Sequence, residues 1–260
     1  MSHGLLFDST RCIGCGACSA ACKEQNGLPL PIEERTTAYT WTVVERHGGA
    51  NVRRLCMHCL TPTCASVCPV GAMQKTASGP VVYDSTLCIG CRYCIVACPF
   101  GVPKYQWDRP VPIVGKCVLC APRLAAGRPT ACAAVCPTGA TACGGRDALV
   151  REARARIARE PGRYVDHVYG HDEAGGTSVL LLAGVPFAQL GLPADLPREP
   201  LPMLTWRVLS RLPDVVAVAA VFLFGVHWIT SRRVAVRRAE GPDAPVEPPG
   251  DPRRDERPGP

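Results

Sequence analysis

Bulky side chains are scarce in this chain. Phe, Tyr and Trp together make up 6% of its 260 residues, with only four methionines beside them, whereas there are 25 glycines and 26 prolines. A core of ordinary size needs more apolar volume than that, so part of the fold has to be held by covalent or metal bonds. Motifs for substrate chemistry are missing as well. There is no Gly-rich phosphate loop, no zincin motif and no nucleophile with a partner base, which excludes nucleotide-driven and hydrolytic activities and leaves no catalytic residue to name. The net charge of +7 lies mostly in arginines of the C-terminal half, with no aromatic residues interleaved along a basic stripe. That pattern excludes nucleic acid as a partner and fits charge that faces a membrane or another protein.

Cysteine, in contrast, is abundant: there are 17. A disulfide scaffold predicts irregular spacing in a small secreted domain. Zinc predicts paired Cys-x-x-Cys units separated by longer loops. Iron–sulfur clusters predict triplets with a trailing fourth cysteine, often followed by proline. The sequence has four such quartets: Cys12, Cys15, Cys18, Cys22; Cys56, Cys59, Cys64, Cys68; Cys88, Cys91, Cys94, Cys98; and Cys117, Cys120, Cys132, Cys136. The first and third match the uninterrupted ferredoxin spacing, and the other two lengthen only the gap between second and third cysteine. Proline follows Cys68, Cys98 and Cys136, but Lys23 follows Cys22. Four [4Fe–4S] clusters are expected, since no ligand position has lost its cysteine.

Three thiolates two residues apart reach three corners of one cubane, and the fourth, expected at the start of a helix, points to the neighbouring cluster. Gly14, Gly16 and Gly90 suit loops in which backbone N–H groups approach sulfur. The segment after Cys68 alternates apolar and polar residues around Ser78-Gly79, as a hairpin does. Motif, hairpin and motif make a complete two-cluster unit, so the first and fourth quartets close around it as another. The expected ligand sets are therefore Cys12, Cys15, Cys18 with Cys136; Cys117, Cys120, Cys132 with Cys22; Cys56, Cys59, Cys64 with Cys98; and Cys88, Cys91, Cys94 with Cys68. His58 reads as a hydrogen-bond donor near a cluster, and Cys143 as a buried structural thiol on a short closing strand.

The expected fold is α+β: two interleaved bacterial ferredoxin-like units holding four clusters, one C-terminal transmembrane helix and a disordered tail. Residues 1–145 form the cluster domain, with an inner unit at 53–103 and an outer unit made of 5–30 with 112–145. Residues 146–200 add a helix and strands, 201–213 a Pro-rich juxtamembrane linker, 214–231 the membrane helix and 232–260 the tail. Thr36–Leu55 reads as a hairpin over the clusters, with Trp41 packing, and Asp147–Glu160 as a helix ended by Pro161-Gly162. Val215–Thr230 is almost unbroken apolar sequence of about 24 Å as a helix, short of a bilayer's roughly 30 Å. Arg232, Arg233, Arg237 and Arg238 follow it, which places the tail in the cytoplasm and the cluster domain on the periplasmic side. His227 within the span reads as interfacial rather than as a haem ligand.

The quartets, the run from Cys91 to Tyr105, Lys116-Cys117-Val118-Leu119-Cys120, and the segments Tyr169–Ser178 and Gly184–Phe187 resemble the iron–sulfur subunits of membrane-bound respiratory oxidoreductases. They are similar to the β subunit of respiratory formate dehydrogenase and the iron–sulfur subunit of hydrogenase-2-type uptake hydrogenases, over roughly residues 5–232. The resemblance implies a non-catalytic relay between a catalytic oxidoreductase subunit and an integral membrane, quinone-reactive or cytochrome b subunit, anchored in the lipid of the inner membrane. It also implies the same crosswise pairing of the sixteen cysteines. The hydrogenase-type subunit commonly has a twin-arginine signal, whereas this chain opens Met-Ser-His-Gly without one, so an external location calls for export with a signal-bearing partner, the alternative being a domain that stays cytoplasmic. The rival reading is a free polyferredoxin-like carrier, which needs neither membrane helix nor partner-specific extensions.

Overall fold

The structure, a computed structural model, describes residues 2–241. The run Leu5-Leu6-Phe7 is apolar on both faces, which suits a strand with a neighbour on either side, and it forms β1 (His3–Asp8). Helix α1 (Ala17–Asn26) starts after Gly16 and stops at Gly27, both in the left-handed region. Strands β2 (Val43–His47) and β3 (Ala50–Arg54) pair antiparallel across Gly48-Gly49, so the expected hairpin is present, although the stretch from Thr36 to Thr42 that leads into it is irregular. Next come α2 (Thr63–Ser66), the hairpin of β4 (Met73–Lys75) and β5 (Val81–Tyr83) around Ser78-Gly79, and α3 (Tyr93–Val96). The short pair β6 (Lys104–Tyr105) and β7 (Val114–Gly115) precedes α4 (Ala121–Ala125) and α5 (Ala131–Ala134). Strand β8 (Thr141–Gly145), α6 (Arg146–Arg159) and β9 (Val179–Leu182) follow.

One three-stranded sheet, in the order β8-β1-β9, joins parts of the chain far apart in sequence. Leu5 lies opposite Cys143 in the antiparallel pair with β8 and opposite Val179 in the parallel pair with β9. Side chains alternate across this sheet. Leu6, Leu180 and Leu182 meet Leu149, Val150 and Ala153 of α6 on one face. Leu5, Phe7, Val179 and Leu181 join Leu119, Tyr169 and Phe187 on the other. Asp8, fully buried at the end of β1, accepts hydrogen bonds from Arg156 Nη1 (3.1 Å) and Tyr164 Oη (3.0 Å), so its charge is met. Helix α1 packs on α5 and α2 on α3, which brings the first quartet to the fourth and the second to the third.

The chain up to Thr205 forms one compact unit and the chain from Trp206 a second. Residues 201–213, expected as a Pro-rich linker, hold α7 (Leu201–Leu209) instead. Pro202 and Pro213 each fall in the first turn of a helix, where a missing N–H costs nothing. Helix α8 (Leu212–Glu240) has 29 residues, longer at both ends than the expected 214–231. Its length of about 43 Å exceeds the bilayer's hydrocarbon thickness, and by length and composition it qualifies to cross a membrane. Residues 232–240, expected as tail, extend this helix because Arg, Ala and Glu favour it. The remainder of the expected tail, from 242, lies outside the described residues.

Candidate functional site

Each quartet folds as a loop that runs into a short helix. The third cysteine sits on that helix: Cys18 in α1, Cys64 in α2, Cys94 in α3 and Cys132 in α5. This corrects the expectation that the fourth cysteine starts a helix. Cys22 lies inside α1, while Cys68, Cys98 and Cys136 come two residues past a helix end. The residue just before each second cysteine has positive φ: Gly14 at 75°, His58 at 49°, Gly90 at 71° and Leu119 at 54°. That twist turns N–H groups back toward the first sulfur. Gly90 N–H donates to Cys88 Sγ at 3.4 Å, Leu119 N–H donates to Cys117 Sγ at 3.4 Å, and Gly14 N–H serves Cys12. Two of the four positions carry a side chain where glycine is the unstrained choice.

Thiols gather across quartets rather than within them. One cavity is lined by Cys12, Cys15, Cys18 and Cys136. A second is lined by Cys22, Cys117, Cys120 and Cys132. Cys59 lies in the electrostatic reach of Cys56, Cys64 and Cys98, and Cys94 in that of Cys88, Cys91 and Cys68. Among the described residues, no three His, Cys, Asp or Glu side chains converge closely enough to hold a single metal ion. A tetrahedral zinc site would bring its sulfurs to about 3.8 Å of each other, given Zn–S bonds of about 2.3 Å. An all-thiol donor set spread around wider cavities fits a cluster with several irons, the group that thiolates of this spacing hold.

The electrostatics divide the thiols into two kinds. Burial pushes Cys22 and Cys64 up to about 12 and Cys94 up to about 11, with neighbouring thiols adding to the effect. Burial raises Cys117 and Cys59 too. As free groups these stay protonated, so the anionic form there depends on a bound metal. Cys68 and Cys136 behave differently. Burial opposes their ionisation, yet N–H groups of residues 70–73 and of 138, 140 and 141, with the Thr138 hydroxyl, draw them below the ordinary thiol value. Both belong to a Cys-Pro-x-Gly turn that recurs after Cys98, and Gly71, Gly101 and Gly139 close these turns at φ of 66°, 61° and 61°. Sequence reasoning missed this device, although the repeated spelling Cys-Pro-x-Gly was there to read.

Cys22 lacks such a turn. Asn26 Nδ2 donates to its sulfur at 3.6 Å, and Lys23, buried in the place of proline, donates to the Pro29 (2.6 Å) and Tyr39 (3.0 Å) carbonyls and to Glu33 (3.3 Å). His58 is fully buried. Its Nδ1 accepts from Val81 N–H at 2.9 Å, so Nε2 carries the proton, and Nε2 has no partner among the described residues. Burial, with Lys116 and Lys75 nearby, holds His58 neutral. Sequence reasoning also passed over three basic residues here. Lys75 Nζ donates to the Cys59 carbonyl at 2.8 Å, Lys116 Nζ to the Val81 and Cys117 carbonyls, and Arg53 reaches toward the second cavity. Trp41 packs against the core and donates to the Ala38 carbonyl at 2.9 Å. Cys143 is on β8 as expected, but half-buried rather than buried, β8 being an edge strand of its sheet. His227 lies on the exposed surface of α8, 3.4 Å from Ser231 Oγ.

Residues 50–146 match the family described as the 4Fe-4S dicluster domain, and residues 11–72 match a second family of the same description. A protein of Nitratidesulfovibrio vulgaris is 43% identical over 261 residues, covering 94% of this chain and 70% of its own length. The hydrogenase-2 operon protein HybA of Escherichia coli O157:H7 is 37% identical over 239 residues, covering 74% and 73%. The iron–sulfur subunit of the nitrate-inducible formate dehydrogenase of Escherichia coli K12 is 36% identical over 213 residues, covering 73% and 72%.

Proposed function

We propose, because this chain belongs to the family of 4Fe–4S dicluster iron–sulfur subunits that includes those of formate dehydrogenases and the hydrogenase-2 operon protein, that it is an electron-transfer subunit without catalysis of its own, relaying electrons through four [4Fe–4S] clusters. The ligands are Cys12, Cys15, Cys18 with Cys136; Cys22 with Cys117, Cys120 and Cys132; Cys56, Cys59, Cys64 with Cys98; and Cys68 with Cys88, Cys91 and Cys94. The observation that carries this reading is the gathering of thiols from different quartets around common spaces. Clusters bound there supply one-electron chemistry at low nuclear rearrangement. The chain's residues hold the thiolates, exclude water through Leu119, Phe7 and Trp41, and aim N–H groups at sulfur.

The partners follow from the same reading. A catalytic subunit of formate dehydrogenase or hydrogenase type gives electrons to one end of the relay, and an integral membrane subunit that reacts with quinone takes them at the other. Helix α8 anchors the subunit in the inner membrane. Arg232, Arg233, Arg237 and Arg238, which come directly after the apolar span, support a cytoplasmic C-terminal end and a periplasmic cluster domain. A free carrier has no use for such a helix. Anaerobically prepared protein should hold about sixteen iron and sixteen acid-labile sulfide per chain, four of each for each cubane. Zinc in place of iron, or half the iron in intact protein, overturns the assignment.

A further inference from the structure

Arg53, the last residue but one of β3, has its side chain shut away from water: it is 2% exposed. Its Nε donates to Thr42 Oγ1 at 2.9 Å and its Nη1 to Thr141 Oγ1 at 3.2 Å, two neutral partners. Among the described residues no carboxylate pairs with it. Buried Arg156, by comparison, meets both Asp8 and Glu152. A guanidinium cannot shed its proton to escape such a position, and a buried charge is retained only where something of opposite sign answers it. What surrounds Arg53 is sulfur. It lines the cavity of Cys22, Cys117, Cys120 and Cys132, and its guanidinium hydrogen-bonds the Cys132 sulfur.

Its influence extends across both outer sites. Thr141, which takes its Nη1 hydrogen bond, lines the first cavity beside Cys18, whose ionisation the guanidinium favours, and Arg53 itself lines the second with Cys22, Cys120 and Cys132. Cys94 and Cys98 of the inner sites line neither cavity. We propose that Arg53 is a positioning residue that raises the reduction potentials of the two outer clusters together, its guanidinium being the shared counter-charge between them. The inference rests on the four-cluster reading above. The physical reason is direct: reduction adds negative charge to a cluster, and a fixed cation in a dry, low-dielectric site favours the more negative state. The two hydroxyls give the guanidinium direction without cancelling its charge.

The test is a redox titration of the full-length, cluster-loaded chain followed by electron paramagnetic resonance, with signals assigned through Cys22→Ala and Cys136→Ala. Arg53→Gln should retain its iron and shift the midpoints of both outer clusters downward, leaving the cluster of Cys68, Cys88, Cys91 and Cys94 in place. Arg53→Lys, which keeps the charge, should restore most of the shift. If Arg53→Gln fails to assemble, Thr42→Asp sets a carboxylate against the guanidinium and should lower the same two midpoints with Arg53 present. Unmoved outer midpoints in an iron-replete Arg53→Gln, or in Thr42→Asp where that variant replaces it, overturn the proposal. So does an equal shift of all four clusters, which reports general loosening. Failure of the four-cluster reading shows itself separately, as missing iron in the unaltered protein.

Discussion

Cys22 and Cys136 hold corresponding places in the first and fourth quartets, yet the chain leaves them by different routes. After Cys22 helix α1 continues to Asn26. Its N–H groups are spent on helical hydrogen bonds, so the sulfur has a side-chain amide and the charge of Arg53 beside it, and burial holds it up at about 12. Helix α5 has ended before Cys136, and after it Pro137 and Gly139 bend the chain back, so N–H groups turn onto the sulfur and draw it down. The lesson is that the route taken at the fourth cysteine, helix or proline turn, governs where the local N–H groups go. In the proline turn they reach sulfur, whereas in α1 they stay in the helix and Lys23 anchors the next loop.

The contrast can be broken most severely at the ligand. Cys22→Ala should remove about four irons, one cubane's worth, and the signal lost should be that of the site of Cys117, Cys120 and Cys132. Loss instead of the site of Cys12, Cys15 and Cys18, read by iron analysis with Mössbauer or paramagnetic resonance spectra, would refute crosswise ligation. Next comes the exchange of routes. Lys23→Pro should destabilise the fold by about 3 kcal/mol or more, because proline inside a helix removes a hydrogen bond and clashes with the preceding turn, and the buried Lys23 contacts go with it. Anaerobic thermal unfolding measures this.

A smaller effect is expected within the proline turns. Gly101→Ala meets no atom within 4 Å, so only its φ of 61° is strained. The cost should be about 1–2 kcal/mol in the same thermal assay, with a slight fall in the potential of the cluster that Cys98 serves. The mildest change is Pro69→Lys, which copies the Lys23 spelling into a chain that has already left its helix. It should cost about 0.4–1 kcal/mol through the freer unfolded chain alone. If it costs as much as Lys23→Pro, the turn depends on the proline itself rather than on the earlier end of the helix.

Cysteine spacing made the four loop-and-helix units readable because each is local, and the nearly unbroken apolar run of 215–230 made a long helix readable for the same reason. Other features depended on tertiary contact. Nothing around Arg53 in sequence says that it is buried, since its partners Thr42 and Thr141 come from elsewhere in the chain. The pairing of β1 with β9 was equally hidden, because strands so far apart carry no shared local signal. Prolines misled at 201–213, where they read as a linker but stand in the first turns of helices. Positive φ at His58 and Leu119 was invisible for a simpler reason: neither residue type announces it.

The place of β1 between β8 and β9 sets a clock on biogenesis. The first strand emerges from the ribosome with one flank unpaired until residues 141–145 exist and the other until 179–182 exist. At about 5–20 residues per second, that wait lasts roughly 10–35 seconds. Cys12, Cys15 and Cys18 are made early in that wait and Cys136 much later, and all four exist before either flank of β1 is paired. On the proposed ligation, the outer sites gain their supporting sheet only once β9 has been made, whereas the inner sites, joined by the local β4–β5 hairpin, are complete sooner.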